Sequence, residues 1–327
     1  MKLAIIILIL ISSIIAISST NIFILWASIE LNILCFVPLI LNKENAIEIE
    51  ASINYFLAQA LGSAILLIRG ASLIRIHWFI KTTTILLSAS ILLKLGASPC
   101  FHWFPLVMEK IKWINCLLLS FWQKIIPLFI TLFIILSKIN NYLIIFLARL
   151  NFITGGAIIL SQTSIKKIIA YSSITHTGWI ISTSASNTLC LAVIYLITYS
   201  IIIAPLFTIF NKINILYLSN IWRKEKLSFN QVIIILIIIL SLGGIPPLTG
   251  FIQKLLVVNI LLNSNSILLI ILVSGSLINL FFYLNIGLTI SLYAQNDKIL
   301  LLSTSNMPVI TNTILAINTL IILTIIL

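Results

Sequence analysis

Long apolar runs follow one another along this chain, and only short polar stretches separate them. Each run is about 20 residues long, the length that a helix needs to cross a hydrocarbon layer of roughly 30 Å. Strand-like alternation is absent, and a helix satisfies its backbone N–H and C=O groups within its own segment, as a bilayer demands. The pattern predicts an all-α polytopic membrane protein with about eleven transmembrane helices. The predicted spans are 3–19, 22–41, 51–68, 82–108, 113–136, 141–161, 168–184, 187–210, 229–262, 266–292 and 307–327.

Glycine and proline interrupt two of these spans. The first interruption reads LGASP at Leu95–Pro99, and the second reads LGGIP at Leu242–Pro246. Broken helices at corresponding places in two halves of a chain are typical of transporters, because freed backbone groups are tolerated only where they line a polar cavity. We therefore predict two broken helices, each beside a polar pocket.

The composition excludes an ordinary soluble domain. Of 327 residues, 61% are hydrophobic and 8% are charged, and the mean hydropathy is +1.23. The apolar runs leave no room for a separate soluble domain, so residues 1–327 are predicted to form a single transmembrane helical bundle. The N-terminal run could be a cleaved signal peptide, but its length favours an uncleaved first helix.

The formal net charge of +12 does not indicate a nucleic-acid partner, because the basic residues lie singly or in pairs without interleaved aromatic side chains. Their distribution instead indicates on which side of the membrane each loop lies. About 11 of them fall on the side where the chain begins and about 4 on the other side. This asymmetry predicts an N-terminus in the matrix or cytoplasm and a C-terminus on the opposite side.

The cysteines do not indicate a disulfide framework or a metal centre. Cys35, Cys100, Cys116 and Cys190 lie far apart in the sequence. Cys100 and His102 form a C-x-H pair without further ligands nearby, so packing explains them better than a metal does. We expect this chain to bind no metal and no redox cofactor.

Four ionisable residues lie inside predicted spans: Glu30, Lys94, Lys124 and Lys254. An uncompensated charge there costs about 2.5–3.5 kcal/mol even on lenient insertion scales. Lys94 and Lys254 lie near the interruptions and could extend to a polar edge, whereas Glu30 lies about 12 Å inside its span and is too short to do so. Such groups can exchange protons when their pairing or hydration changes, so the set predicts lateral proton transfer through the membrane.

Other polar residues leave alternatives open. His176 lies among serine and threonine residues inside a span, where helix packing and proton relay fit equally well. Arg149 has a long side chain that can reach a polar edge and has no evident partner, which favours a structural role and leaves any function open. Glu44, Glu48 and Glu50 are expected on a solvated loop, although Glu50 opens the next span and its role stays open.

Several strings of the sequence are similar to one known family: WASIELNILCFVPLI, EIEASINYFLAQALGSAILL, LLKLGASPCFHWFP, FWQKIIPL, SQTSIKKIIAYSSITHTGW and SLGGIPPLTGFIQKLLVV. Together they resemble the NADH dehydrogenase subunit 2 family of mitochondrial respiratory complex I, in its shortened animal form. The similarity covers nearly the whole chain in order, and the last span is its least diagnostic part.

The resemblance implies an antiporter-like, proton-pumping subunit of the mitochondrial inner membrane, with inverted repeats of five helices. It implies that NADH, flavin, iron–sulfur clusters and ubiquinone are bound elsewhere in the complex. The expected partners are other membrane-arm subunits, including neighbouring antiporter-like subunits, and membrane lipids. The site residues implied for the proton pathway are Glu30, Lys94, Lys124, Lys254 and His176.

The sequence also departs from the family pattern. His102 lies one position later than the family histidine, and one residue turns a helix by about 100°, so its proton role is open. Two competing interpretations remain: a stand-alone cation/proton antiporter, which the same broken helices and buried charges would permit, and a structural membrane spacer without a proton path.

Overall fold

A computed structural model describes residues 2–41, 45–75, 80–136, 141–185, 188–213, 229–246, 248–264 and 266–296. These residues form helices and contain no β-strand. The predicted span 307–327 and Glu44 lie outside the described residues. The helices are α1 Lys2–Ser18, α2 Ile22–Ile40, α3 Ala46–Arg75, α4 Ile80–Leu95, α5 Trp103–Lys110, α6 Trp113–Leu117, a π-helical segment Leu118–Trp122, α7 Gln123–Leu136, α8 Asn141–Ile159, α9 Ile165–Ala185, α10 Leu189–Ile213, α11 Phe229–Gly243, α12 Thr249–Ser264 and α13 Ser266–Asn296.

The predicted all-α membrane fold is confirmed. Five helical segments among the described residues are long and apolar enough to cross a membrane. Large apolar side chains remain exposed along them, as a lipid-facing surface requires. The count of about eleven crossings and the single-bundle organisation stay predictions. The five segments are Ile22–Ile40, Ala46–Ile68, Trp113–Thr131, Cys190–Lys212 and Ser266–Thr289.

The chain divides into two compact units. In the first, residues 1–147, α1 packs on α2, and α3 packs against α2, α4 and α5. Helix α7 contacts α4 and α1. Helix α3 therefore lies at the centre of this unit, and its buried face contacts the helices that carry the first candidate residues.

In the second unit, residues 148–327, α9 contacts α10, α12 and α13, and α11 packs on α13. Phe152 of α8 lies between two glycines. A Cβ atom at Gly178 would lie 2.7 Å from the Phe152 ring, and one at Gly275 would lie 2.6 Å from it. Both distances are too short for a side chain, so the glycines allow the helices to approach the ring closely.

Helical structure stops at both predicted interruptions. Helix α4 ends at Leu95 and is followed by Gly96 with φ +62°, while α11 ends at Gly243 and is followed by Gly244 with φ +80°. Glycine suits both places because a left-handed conformation crowds any Cβ atom. That each flanking pair of helices forms one broken span stays a prediction.

The acidic cluster differs from the sequence expectation. Helix α3 begins at Ala46 rather than near residue 51, so Glu48 and Glu50 lie in its first turns. Glu50 is exposed and forms an ion pair with Lys110. Glu48 is only 5% exposed. The prediction of a solvated side chain was therefore wrong for Glu48, because the helix starts earlier and turns this residue towards the protein interior.

Candidate functional site

Glu30 lies on α2 and is half-buried. The hydroxyl group of Ser63, on α3, donates a hydrogen bond to Glu30 Oε1. Ser63 Oγ also lies 2.9 Å from the carbonyl oxygen of Ala60, so its single proton can turn to either acceptor. The glutamate therefore faces a hydroxyl group that can rearrange when its charge changes.

Lys94, in the last turn of α4, is held against α3. Its Nζ lies 3.5 Å from the Gln59 carbonyl oxygen, and Gln59 Nε2 donates to the Lys94 carbonyl oxygen at 3.1 Å. A Cβ atom at Gly62 would lie 3.0 Å from Lys94 Cγ, so the absence of a side chain there leaves room for the lysine. Lys94 is 3% exposed. Helix α3 thus connects both ionisable groups.

Lys124 is the second residue after the π-helical segment Leu118–Trp122. It is 3% exposed, and its Nζ lies 4.8 Å above the ring centre of Phe104, a cation–π distance. The preceding residue, Gln123, donates from Nε2 to Asn32 Oδ1 at 2.8 Å and so connects α7 to α2. Single π-helical turns are frequent at functional sites, because they redirect side chains within an otherwise regular helix.

Lys254 lies on α12 and caps the end of α11. Its Nζ donates to the carbonyl oxygen of Gly243 at 2.6 Å and lies 3.4 Å from that of Leu242. These carbonyl groups form the negative end of a helix, where a cation is favoured. A Cβ atom at Gly244 would lie 2.9 Å from Lys254 Nζ, so this glycine also leaves space for the lysine.

His176 is buried on α9. Its Nδ1 lies 2.8 Å from the hydroxyl oxygen of Tyr195, and its ring centre lies 4.7 Å from that of Tyr199. Tyr195 also lines a cavity with Thr249 and Gln253, and Gln253 immediately precedes Lys254. The cavity is therefore lined by the hydrogen-bond partner of His176 and by the residue that precedes Lys254.

The candidate residues thus fall into two groups. Glu30, Lys94 and Lys124 lie in the first unit, and His176 and Lys254 lie in the second. The side chains that hold them are not among the residues predicted from the sequence. Gln59 and Ser63 lie four residues apart on an apolar helix, and this spacing is a sequence signal that places both on one helical face. No sequence signal pointed to Tyr195.

Three residues with open roles lie away from these contacts. His102 is exposed before α5, and its ring packs on Phe101 with the ring centres 4.1 Å apart. Arg149 is half-buried, and its Nε has no hydrogen-bond partner in the described part of the chain. Glu50 pairs with Lys110 at the surface. None of these contacts connects them to the candidate residues.

Comparison with known proteins identifies the class of protein. Residues 19–85 and 72–279 match the family described as NADH:quinone oxidoreductase/Mrp antiporter, TM. The fold is similar to a chain of respiratory complex I from Thermus thermophilus, with a TM-score of 0.82 and 20% identity, covering 97% of this chain and 76% of that one. A chain of the Mrp complex from Dietzia gives a TM-score of 0.77 and 18% identity, with 86% and 59% covered. The class is an antiporter-like membrane protein.

Sequence relatives narrow this class. NADH-ubiquinone oxidoreductase chain 2 of Lumbricus terrestris is 42% identical over 276 residues, covering 84% of this chain and 82% of that one. The Strongylocentrotus purpuratus protein of the same name is 37% identical over 291 residues, with 86% and 82% covered. The chain therefore belongs to the NADH-ubiquinone oxidoreductase chain 2 family, and the resemblance seen in its motifs is confirmed.

Proposed function

We propose that this chain is a membrane-arm subunit of mitochondrial NADH:ubiquinone oxidoreductase that couples quinone reduction to proton translocation. Membership of the chain 2 family supports the assembly and the overall reaction. The observation that carries the proton role is that one face of α3 contacts two ionisable groups, with Gln59 hydrogen-bonded to Lys94 of α4 and Ser63 hydrogen-bonded to Glu30 of α2. A carboxylate and an amine held together in the membrane interior can share and pass on a proton.

The proposed path starts at Glu30 and Lys94. Redox energy released elsewhere in the complex changes the pairing and hydration of these two groups, and the proton then moves by Lys124 towards Lys254. Two features support such movement. The Ser63 hydroxyl can turn away from Glu30, and Lys254 is held by carbonyl oxygens rather than by a carboxylate among its contacts in the described structure. His176, with Tyr195 as its partner, is a relay within the second unit.

We also propose the finer topology of the chain. The chain crosses the mitochondrial inner membrane about eleven times, with inverted repeats of five helices and a broken helix in each. The N-terminus lies in the matrix and the C-terminus in the intermembrane space, as the distribution of basic residues favours. The chain contacts other membrane-arm subunits and lipids and binds no nucleic acid, and the redox cofactors lie in other subunits.

Glu30→Gln tests the proposed path. Glutamine can still accept the Ser63 hydrogen bond but cannot carry a proton, so we expect NADH-driven proton translocation to fall by at least about threefold while assembly is kept. Proton uptake and NADH oxidation are measured in sealed vesicles, and assembly is checked on native gels. Glu50→Gln makes the same exchange at an exposed carboxylate and serves as the control. Unchanged translocation in Glu30→Gln contradicts the path.

A stand-alone cation/proton antiporter is the second candidate, favoured by the fold shared with a chain of the Mrp complex. Purification distinguishes the two functions. A subunit of a large assembly loses stability when its partners are removed, because partner binding contributes to the stability of the folded state. An isolated chain that stays folded and exchanges cations for protons in liposomes favours the antiporter.

A further inference from the structure

We propose that Glu48 takes up protons at the N-terminal end of α3, and that the buried polar face of this helix delivers them to Lys94 and Glu30. This inference rests on the proposed proton translocation and adds an uptake group and a route to it. The proton released to Lys94 or Glu30 is replaced by one taken up at Glu48, so protons are conserved along the route.

The burial of Glu48 sets it apart from its surroundings. Its neighbours Ile47 and Ile49 are exposed, as is Glu50, whereas Glu48 is 5% exposed. Its Oε2 is buried and has no hydrogen-bond partner among the described residues. A buried carboxyl oxygen without a partner is costly, and such groups usually have a functional reason to be retained.

Polar residues continue from Glu48 along one face of α3. The intervals of three or four residues place them above one another on the same side of the helix. Each is at most 5% exposed, while residues on the opposite face, such as Ile53 and Leu57, are exposed. The face spans about 22 Å, most of the hydrocarbon thickness. It consists of Glu48, Ser52, Tyr55, Gln59 and Ser63.

The middle of the face contains a second group without a partner. Tyr55 is fully buried, and its hydroxyl group has no hydrogen-bond partner among the described residues. Its ring is fixed by Phe36 and Trp103, with ring centres 5.0 and 6.0 Å away. An unpaired hydroxyl in a fixed position can accept one proton and release its own, as a relay requires.

The far end of the face reaches the proposed pathway directly. Gln59 is hydrogen-bonded to Lys94 through its side chain and its carbonyl oxygen, and Ser63 donates to Glu30. Side chains three or four residues apart lie about 5–6 Å from each other at Cβ, a gap that one water molecule can bridge, whereas the two turns between Tyr55 and Ser63 require a short chain of water molecules. The carboxyl and hydroxyl groups carry the proton, and Gln59 positions Lys94.

The competing explanation is structural. A carboxylate in the first turn of a helix stabilises it by interacting with the positive helix end. That role requires charge but no proton exchange, and it leaves the unpaired Tyr55 hydroxyl unexplained. The two explanations therefore differ in what they predict for Tyr55→Phe, because this substitution keeps the ring contacts and leaves the first turn unchanged.

The test compares Glu48→Gln, Glu48→Asp and Tyr55→Phe in the complete complex in sealed vesicles. We expect Glu48→Gln and Tyr55→Phe to lower NADH-driven proton translocation by at least about threefold with assembly intact, and Glu48→Asp to keep about half of it or more. The solvent isotope effect on NADH oxidation should rise in both impaired variants, because proton uptake becomes rate-limiting. Glu50→Gln is the control, since it removes an exposed carboxylate from the same end of α3.

Each outcome decides the inference. Unchanged translocation in Glu48→Gln, while Glu30→Gln is impaired, overturns the uptake route and leaves the proposed function standing. Unchanged translocation in both Glu48→Gln and Glu30→Gln contradicts the proposed function as well as the uptake route. An equal loss in Glu50→Gln overturns the assignment to Glu48. If Glu48→Gln fails to assemble, Tyr55→Phe decides, and normal translocation in that variant overturns the inference.

Discussion

Replacing Lys124 with methionine is expected to lower NADH-driven proton translocation by about tenfold or more while the complex still assembles. Methionine has a similar length and flexibility and fills the same buried space without a charge. Lys124 is 3% exposed, its amine lies over the Phe104 ring, and it is the second residue after the π-helical segment. If this amine carries the proton between the other ionisable groups, its removal interrupts the path without leaving a cavity.

The control for Lys124→Met is Lys112→Met, because Lys112 is exposed before α6. Both variants lose one positive charge, but only Lys124→Met removes it from the protein interior. The ratio of protons moved to NADH oxidised is measured in sealed vesicles together with the amount of assembled complex. Equal, normal ratios in both variants favour the structural-spacer interpretation, in which this chain transmits no protons through its buried charges.

Replacing Gly250 with alanine is expected to cause the largest structural effect, a destabilisation of about 3 kcal/mol or more. A Cβ atom at this position would overlap the backbone carbonyl oxygen of Ser241 on α11. Backbone atoms cannot turn aside as a side chain can, so α11 and α12 would have to separate. The Lys254 contacts with the carbonyl groups at the end of α11 would then be lost as well.

Gly243→Ala is the matched control for Gly250→Ala. The nearest atoms to a Cβ at Gly243 lie 3.6 to 3.8 Å away on Tyr283 and Leu280, an ordinary contact distance. Assembled complex and its thermal unfolding temperature are measured for both variants. We expect the amount of complex to fall severalfold for Gly250→Ala and to stay near normal for Gly243→Ala. Similar values for the two variants contradict the close approach of α11 and α12.

The sequence predicts the fold class and proposes the main candidate residues for one physical reason. A bilayer tolerates few charges and no unpaired backbone, so long apolar runs identify helices and interior charges stand out. That logic selects Glu30, Lys94, Lys124 and Lys254 from the sequence. It also located both interruptions, because glycine and proline punctuate helices wherever they occur. The strings around these residues indicated the family.

Only the tertiary structure decided how these residues are held. The packing of the helices decides these contacts. Ser63 donates to Glu30, Gln59 and Gly62 accommodate Lys94, and Tyr195 contacts His176. These contacts join residues far apart in sequence, and apolar periodicity does not specify them in a membrane, where lipid-facing and buried surfaces are equally apolar.

The burial of Glu48 also depends on helix packing that the sequence does not specify. Its sequence context reads as an acidic loop, and a start of α3 only a few residues earlier turns its carboxyl group inward. Composition therefore determined that this chain is a membrane protein with interior charges. Helix ends and packing, which depend on small shifts in angle along each helix, decided which of its polar groups meet.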